Sequence, residues 1–275
     1  MTILVTGGTG KTGRRIAARL QTLGHAVRVG SRTGAPPFDP PFDWADRATW
    51  APALDGAHAA YIAYYPDLAF PGALEDLRAF TEQAVKAGVG RLVLLSGRGE
   101  ALAEAGEQVV RESGVAWTIV RCGWFMQNFS EGYLVEPVRD GVIALPAGEV
   151  AEPFVDVDDI ADVSVAALTE DGHAGMLYEL TGPRLLTFAD VAAELSEATG
   201  RPITYVPVTA EEYAAGAAAH GVPPGEIELL TMLFTEILDG RNAYVADGVR
   251  AALGRPARDF KDFARDNAAV WVTGG

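Results

Sequence analysis

Leu4-Val5-Thr6-Gly7-Gly8-Thr9-Gly10-Lys11-Thr12-Gly13 is a short apolar run that leads into a glycine-dense turn near the start of this 275-residue chain. Its glycines satisfy G-x-G-x-x-G at positions 8, 10 and 13, and the looser G-x-x-G-x-x-G at positions 7, 10 and 13. Glycines at this spacing let a strand turn tightly into a helix, and they let the backbone approach a pyrophosphate at the helix N-terminus. We therefore predict a dinucleotide-binding turn whose cofactor-binding residues are Gly7, Thr9, Gly10, Lys11, Thr12 and Gly13.

The residues on both sides of the turn fit a strand and a helix. Residues 3–5 form the apolar run of a buried strand, and helical spacing follows in Ile16, Ala17, Leu20 and Leu23. The competing interpretation is a Walker A nucleotide loop, because Gly10-Lys11-Thr12 ends like that motif. A Walker A loop requires a glycine five residues before Gly10, where Val5 stands, so the dinucleotide-binding turn is favoured.

The distribution of charge indicates which dinucleotide binds. The second predicted strand, residues 26–29, is followed by Ser31 and Arg32, and no acidic residue occurs before Asp39. An acid at this place accepts from the ribose hydroxyl of NAD, whereas an arginine accommodates the 2′-phosphate of NADP. Residues 1–38 hold six basic residues and no acid, although the chain has a net charge of −15, so residues 39–275 carry −21. We predict NADP(H) in preference to NAD(H), with Ser31 and Arg32 at the phosphate.

The other arginines of this segment have a simpler interpretation. Charged residues that recur on one side of a helix usually solvate its exposed face. We favour that interpretation for Arg14, Arg15, Arg19 and Arg28.

Strand and helix patterns alternate along the first half of the chain. Apolar strand patterns return at residues 57–63, 91–95 and 116–120, and helical patterns separate them. This alternation predicts an α/β fold with a doubly wound parallel Rossmann sheet and right-handed crossovers. We predict a dinucleotide-binding domain over residues 1–150 and a small, mostly helical C-terminal substrate lobe over residues 151–275, interleaved with the sheet.

The composition excludes several classes of partner. The net charge of −15 disfavours nucleic acid and anionic membranes, and no apolar run reaches the length of a transmembrane helix. The single cysteine, Cys122, cannot form an intrachain disulfide, and the four histidines show no metal-ligand spacing. We therefore expect a cytoplasmic protein without a metal site that acts on a small molecule. The sequence is compatible with a homodimer.

Ligands of open parallel sheets bind beyond the carboxyl ends of the strands. This rule places Ala63, Tyr64 and Tyr65 in the predicted cleft, together with Ser96 and Arg98 after the next strand. We assign Ala63, Tyr64 and Ser96 to the cofactor. The candidate catalytic residues are the polar groups best placed to donate a hydrogen bond to a substrate, namely Ser96, Tyr64, Tyr65 and Arg98.

Three further segments have two interpretations each. Phe42-Asp43-Trp44 either ends a short third strand, with Asp43 and Trp44 beside the adenine, or packs on its own domain. Residues 122–129 either begin a packed helix or form the wall of an apolar or aromatic substrate site. In the second case Trp124, Phe125 and Asn128 contact the substrate together with Tyr65. The acids of residues 156–159 either cap the helix that follows, which we favour, or form a catalytic carboxylate pair.

Several of these motifs occur together in one known family. They are Thr6–Gly13 after the first strand, Ser31-Arg32, Ser96-Gly97, Trp117–Arg121 leading to Trp124–Phe129, Phe154–Ala161 and Tyr178–Pro183. In this combination the whole chain resembles the NmrA-like branch of the atypical short-chain dehydrogenase/reductase superfamily. Within that branch it is most similar to the ergot-alkaloid (festuclavine dehydrogenase-like) reductase subfamily.

The resemblance implies a Rossmann domain with a small substrate lobe. It implies one of two functions, an NADPH-dependent reductase of iminium, quinone or dye substrates or a redox sensor that binds the dinucleotide without turnover. The wider superfamily uses a Tyr-x-x-x-Lys pair, in which lysine lowers the tyrosine pKa for proton transfer. Here Gly7, Glu82 and Ala257 stand four residues before the three lysines, so the pair is missing, and the resemblance aligns it near Gly99 and Ala103.

We therefore expect hydride transfer to an acceptor that is electrophilic by itself, such as an iminium ion or a quinone. Positioning such an acceptor over the nicotinamide can supply several kcal/mol without a proton-donating tyrosine. We expect the nicotinamide over the strands of residues 57–63, 91–95 and 116–120, and the substrate between Tyr64-Tyr65 and residues 124–128. The alternative function is an NADP(H)-binding redox sensor or regulatory protein with little or no turnover.

Overall fold

The computed structural model describes residues 1–33 and 40–272, and it contains eight strands within them. They are β1 (Thr2–Val5), β2 (Ala26–Val29), β3 (Ala59–Ile62), β4 (Arg91–Gly97), β5 (Ala116–Cys122), β6 (Val142–Leu145), β7 (Met176–Leu180) and β8 (Thr204–Pro207).

Thirteen α-helices connect and follow the strands in the same ranges. They are α1 (Lys11–Thr22), α2 (Trp50–Leu54), α3 (Ala73–Lys86), α4 (Ala101–Arg111), α5 (Asn128–Glu131), α6 (Val135–Asp140), α7 (Val157–Thr169), α8 (Phe188–Thr199), α9 (Ala210–Ala219), α10 (Pro224–Met232), α11 (Gly248–Leu253), α12 (Phe260–Asp266) and α13 (Ala268–Val272). Among these helices, none is both long enough and apolar enough to cross a lipid bilayer.

Six strands form one parallel sheet in the order β2-β1-β3-β4-β5-β7. The register places Val5 of β1 beside Val29 of β2 on one side and Tyr61 of β3 on the other. All four residues of β3 are buried, as expected for a strand covered on both faces by helices. The predicted doubly wound α/β sheet is confirmed.

The chain forms two compact units, and neither is a single stretch of sequence. The first contains Met1–Cys122, Val157–Leu180 and Asp247–Pro256, and the second contains Gly123–Asp156, Thr181–Ala246 and Ala257–Gly275. The predicted division at residue 150 differs from this arrangement, because β7 completes the edge of the large sheet beside β5. The second unit has its own two-stranded parallel sheet of β6 and β8.

The predicted third strand at Phe42-Asp43-Trp44 is wrong. These residues form a tight turn in which Asp43 makes an isolated bridge to Asp46 and its Oδ1 accepts from the amide of Ala45 at 3.0 Å. An aspartate that bonds the backbone two residues later favours a turn over an extended ladder. Phe42 and Trp44 are buried in the core of the first unit.

Candidate functional site

The glycine turn between β1 and α1 leaves no room for a side chain at Gly8 or Gly13. Gly7 has a φ of +59°, which is the left-handed conformation that favours glycine. A Cβ on Gly8 would lie 2.2 Å from Cγ1 of Val29, and a Cβ on Gly13 would lie 2.3 Å from the carbonyl oxygen of Gly7. The three positions therefore combine a tight turn with close packing of helix on strand, as a dinucleotide-binding turn requires.

The N-terminus of α1 is suited to an anion. Its N-cap is Gly10, which offers no side-chain cap, and the first turn contains no acidic residue. The amide of Gly10 donates to the carbonyl of Gly7 at 2.9 Å and closes the turn. The helix dipole and the first-turn amides therefore favour a phosphate at this end.

Buried Thr6 joins the turn to the carboxyl end of β3. Its hydroxyl accepts from the amide of Ala63 at 2.8 Å, and the carbonyls of Tyr61 and Ala63 each lie 3.2 Å from Oγ1 as acceptors. Ala63 therefore lies beside the glycine turn, where the sequence places it.

Most arginines of the first segment have partners within the protein. Arg19 donates to Asp158 at 2.6 Å and to Asp162 at 2.8 Å, and Arg15 lies 3.3 Å from Asp158. Arg28 donates to the carbonyls of residues 53 and 55 at 2.7 and 2.6 Å, at the end of α2. The predicted solvating role is therefore wrong for these three arginines, because acids of α7 and carbonyls of α2 lie within reach. Arg14 is exposed.

Arg32 differs from these arginines. It is exposed, it has no carboxylate partner among residues 1–33 and 40–272, and its guanidinium lies 5.0 Å from the ring centroid of Tyr65. Gly30 fixes the segment beside the glycine turn, because its amide donates to Val5 and its carbonyl accepts from Gly8. Ser31 is buried, and its hydroxyl lies 3.0 Å from that of Thr33.

The cation–π contact with Arg32 also locates Tyr65. Tyr65 is 62% exposed, and its ring lies against the residue that is predicted to bind the 2′-phosphate. This neighbour favours the cofactor rather than the substrate for Tyr65, and its predicted role in substrate binding stays a prediction.

Trp44 supports the packing interpretation of its segment. Its indole Nε1 donates to the carbonyl of Ala63 at 3.0 Å, and its ring packs edge-on against Phe42 and Phe80. The ring is buried at 6% exposure, and its predicted contact with the adenine stays a prediction. The carbonyl of Asp43 accepts from Trp50, which fixes the turn.

Tyr64 is held by α3. Its hydroxyl donates to Oδ2 of Asp76 at 2.9 Å, and Arg47 pairs with the same carboxylate at 2.7 Å. Burial, and then the hydrogen bond and negative charge of Asp76, raise the pKa of Tyr64 to about 12. A hydroxyl that already donates to a carboxylate and holds its proton this firmly is a poor acid at neutral pH.

Ser96 is part of a buried ion-pair network at the carboxyl end of β4. Its hydroxyl donates to Oε1 of Glu107 at 2.7 Å, and Arg121 holds both oxygens of that carboxylate at 2.7 and 2.6 Å. The Glu107 side chain is 2% exposed, and its hydrogen bonds raise the pKa of Arg121. The proton of Ser96 is therefore directed into the protein.

Arg98 is engaged in the same way. Its side chain is 1% exposed, its Nε donates to Oε1 of Glu179 at 2.9 Å, and its amide donates to the carbonyl of Cys122. These contacts give Ser96 and Arg98 a positioning role, while their predicted catalytic roles remain predictions. Glu107 and Glu179 are not predicted as site residues from the sequence, although an acid on the apolar face of α4 is a signal for a buried ion pair.

The acids before and within α7 also have structural partners. Asp156 accepts from Gln127 at 2.8 Å, whereas buried Asp159 pairs with Arg255 at 2.7 Å. Asp158 and Asp159 lie in the first turn of α7, as the helix-start interpretation predicts. Their arginine partners argue against a catalytic carboxylate pair.

Trp124, Phe125 and Asn128 lie in the second unit. Trp124 stacks on Phe234 with ring centroids 5.1 Å apart, and the backbone of Phe125 forms a bridge with Val155. Asn128 begins the short helix α5, so this part of the segment is a packed helix start. Substrate contact by these residues stays a prediction.

Comparison with known proteins gives two family matches. Residues 7–171 match the NAD(P)H-binding family and residues 105–241 match the NmrA-like family. The chain is 33% identical to the NAD(P)H azoreductase of Xenophilus azovorans, over 98% of this chain and 99% of that protein. It is 32% identical to the agroclavine dehydrogenase of Claviceps fusiformis, over 99% of each.

A solved structure shows the same fold. It is an NADPH-dependent quinone oxidoreductase from Escherichia coli in complex with NADPH. It aligns with a TM-score of 0.80 at 23% identity, over 96% of this chain and 99% of the other.

Proposed function

Because the chain belongs to the NAD(P)H-binding, NmrA-like family, we propose that it is an NADPH-dependent reductase of electrophilic small molecules such as iminium ions and quinones. The protein is an NAD(P)H-dependent oxidoreductase, and the proposal concerns its cofactor preference and its substrate. The preference for NADPH rests on Arg32, which is exposed and has no carboxylate partner in the described ranges. Arg32 follows β2, whose end is hydrogen-bonded beside the glycine turn.

Different residues of the first unit bind different parts of the cofactor. The amides at the start of α1 bind the pyrophosphate, and Arg32 with Ser31 binds the 2′-phosphate. When bound, NADPH supplies the hydride. The network of Ser96, Glu107 and Arg121 keeps the carboxyl end of β4 in place.

The missing Tyr-x-x-x-Lys pair supports an acceptor that is already electrophilic. The hydrogen bond from Tyr64 to Asp76 and its pKa, raised to about 12, disfavour Tyr64 as a replacement for the tyrosine, and its catalytic role stays a prediction. Relatives of this chain include an azoreductase and an agroclavine dehydrogenase, which favours an apolar or aromatic substrate. We propose Trp124, Phe125 and Asn128 as substrate contacts, and a cytoplasmic location.

Replacing Arg32 by alanine is expected to weaken NADPH binding roughly 10- to 100-fold and to leave NADH binding nearly unchanged. The charged hydrogen bonds to a phosphate are each worth about 1.5–3 kcal/mol, and NADH lacks that phosphate. Fluorescence titration of both nucleotides measures the difference. Arg28→Ala is the control, because Arg28 belongs to the same segment but binds carbonyls of α2. An equal loss of affinity for both nucleotides in Arg32→Ala would contradict the 2′-phosphate role.

Turnover is tested by following NADPH absorbance with a panel of quinones, cyclic iminium ions and azo dyes. The proposal expects NADPH oxidation that depends on the acceptor and is slower with NADH. Tight NADPH binding without oxidation by any acceptor would favour the alternative function, a sensor of the NADP(H) redox state.

A further inference from the structure

Two acidic side chains follow neighbouring strands at the carboxyl edge of the large sheet. Asp67 lies five residues after β3, and Glu100 lies three residues after β4. Glu100 occupies the N-cap position of α4, yet its side chain makes no capping hydrogen bond. A carboxylate at this position normally accepts from the first-turn amides. The side chain of Glu100 is therefore directed elsewhere.

The Glu100 carboxyl lies against the last residue of β4. A Cβ built on Gly97 would be 2.4 Å from Oε1 of Glu100 and 2.5 Å from Oε2. Any larger residue at position 97 would occupy the space of this carboxyl group. Gly97 thus makes room for an acid at the edge where ligands of parallel sheets bind.

The two carboxyl groups are paired with each other. Glu100 forms a side-chain hydrogen bond with Asp67, and Oδ1 of Asp67 also accepts from the amide of Ala69 at 2.8 Å. Oε2 of Glu100 is buried and has no hydrogen-bond partner in residues 1–33 and 40–272. Like charges on neighbouring carboxyl groups disfavour ionisation of both, so the pair favours keeping one proton.

The environment indicates where that proton resides. Burial, then the charge of Asp67 and the hydrogen bond to it, raise the pKa of Glu100 to about 8. Burial also raises the pKa of Asp67, which accepts the hydrogen bond from Glu100. The nearest cation in sequence, Arg98, is paired with Glu179. Among the described residues, Asp67 is thus the titratable group that acts on Glu100, and both carboxyl groups have raised pKa values.

We propose that the Asp67–Glu100 pair is the proton donor of the reductase reaction. The proposal rests on the proposed function and names the group that donates the proton in that reaction. In quinone reduction, the C4–H bond of NADPH breaks and hydride adds to the quinone. The pair releases its proton to the resulting oxyanion, which gives hydroquinone and NADP⁺, and solvent returns the proton to the pair. An iminium ion needs only the hydride, because its product is a neutral amine.

The position of Glu100 agrees with this role. Glu100 follows the carboxyl end of β4, at the edge where ligands of parallel sheets bind. Two hydroxyls of this edge already donate within the protein, because Ser96 donates to Glu107 and Tyr64 donates to Asp76. The carboxyl pair thus offers a proton where neither hydroxyl does.

Glu100→Gln separates the two kinds of substrate. It keeps the size of the side chain and its ability to donate a hydrogen bond to Asp67, but it removes the transferable proton. We expect kcat for quinone reduction to fall about 100-fold or more, the range typical of lost general acid catalysis. The kcat for reduction of a cyclic iminium ion and the Kd for NADPH should stay within about twofold of the wild-type values, because neither depends on the proton. Glu75→Gln, an exposed glutamate of α3, is the matched control and should change neither reaction.

The pH profile provides a second readout. Wild-type quinone reduction should fall as pH rises through about 8, because the required acid deprotonates. Asp67→Asn removes the negative charge that raises the pKa of Glu100, so the fall in the quinone reduction rate should occur at lower pH. The rate of iminium reduction should show no such fall in any variant. A merely structural role for the pair would not shift the pH dependence of one substrate alone.

Infrared difference spectroscopy between pH 6 and pH 10 tests the shared proton without turnover. The spectrum should show a neutral carboxylic acid that is lost near pH 8 in the wild type and is missing from Glu100→Gln. Its absence overturns the proposal, as does equal loss of quinone and iminium reduction in that variant. An active wild type with an unaffected Glu100→Gln contradicts the donor role alone. If none of the acceptors supports NADPH oxidation by the wild-type protein, the proposed function is contradicted, and the donor role with it.

Discussion

Replacing Glu107 by alanine is expected to destabilise the protein by about 3–5 kcal/mol, the cost of breaking a buried ion pair by removing one partner. The carboxylate of Glu107 is 2% exposed, and it accepts from Ser96 and, through both oxygens, from Arg121. Its loss leaves a guanidinium that is 19% exposed without its bidentate partner. The midpoint of urea unfolding, followed by tryptophan fluorescence, measures the change.

Two further variants test the origin of this effect. Glu112→Ala removes an exposed glutamate directly after the same helix and should change stability by about 0.5 kcal/mol or less. Glu107→Leu combined with Arg121→Met removes the buried carboxylate together with its bidentate guanidinium, so it should cost much less than Glu107→Ala. Arg111, which lies 3.6 Å from Glu107, loses this contact in both variants and is 35% exposed to solvent. A Glu107→Ala protein that unfolds at the wild-type urea concentration would show that the network is not important for stability.

Gly13→Ala is expected to combine lost stability with lost cofactor affinity. The new methyl group would lie 2.3 Å from the carbonyl oxygen of Gly7 and 2.7 Å from Cα of Gly8, both of which are backbone atoms. Overpacking of this kind costs about 1–3 kcal/mol. The turn must shift to relieve it, which misplaces amides whose bonds to a phosphate are worth about 1.5–3 kcal/mol each. We expect NADPH affinity to fall roughly 10- to 100-fold or more.

Gly216→Ala is the matched control for this substitution. Gly216 lies within α9, and a Cβ there would meet no atom within 4 Å. An alanine in an open helical position should stabilise the helix by about 0.5–1 kcal/mol and leave NADPH binding unchanged. Thermal melts measure the stability of both variants, and titrations measure their affinity for NADPH. A Gly13→Ala protein with wild-type affinity would contradict the assigned role of the turn.

The features that the sequence predicts correctly depend on neighbours in the chain. The glycine spacing of residues 7–13 specifies a turn, a strand end and a helix start within one short segment, and all three are present. The alternation of apolar runs predicts the parallel strands β1, β3, β4 and β5 for the same reason. Local patterns suffice here because each element is specified by residues inside it or next to it.

The contacts that the sequence does not predict join distant parts of the chain. Arg98 and Glu179 are separated by 81 positions, and Arg19 and Asp158 by 139. Whether an arginine solvates a helix, binds a phosphate or neutralises a buried acid depends on such partners. Trp44 shows the same limit, because its aromatic ring fits an adenine or a core equally well until Phe42 and Phe80 are placed beside it.

The return of the chain to the first unit at Asp247–Pro256 has a consequence for biosynthesis. This segment supplies Arg255, which pairs with the buried Asp159 and with Asp162. A domain that is contiguous in sequence can fold as soon as it has left the ribosome. Here Asp159 lacks its Arg255 partner until residues 181–246 of the second unit have been joined. The first unit thus becomes complete only after most of the second unit has been synthesised.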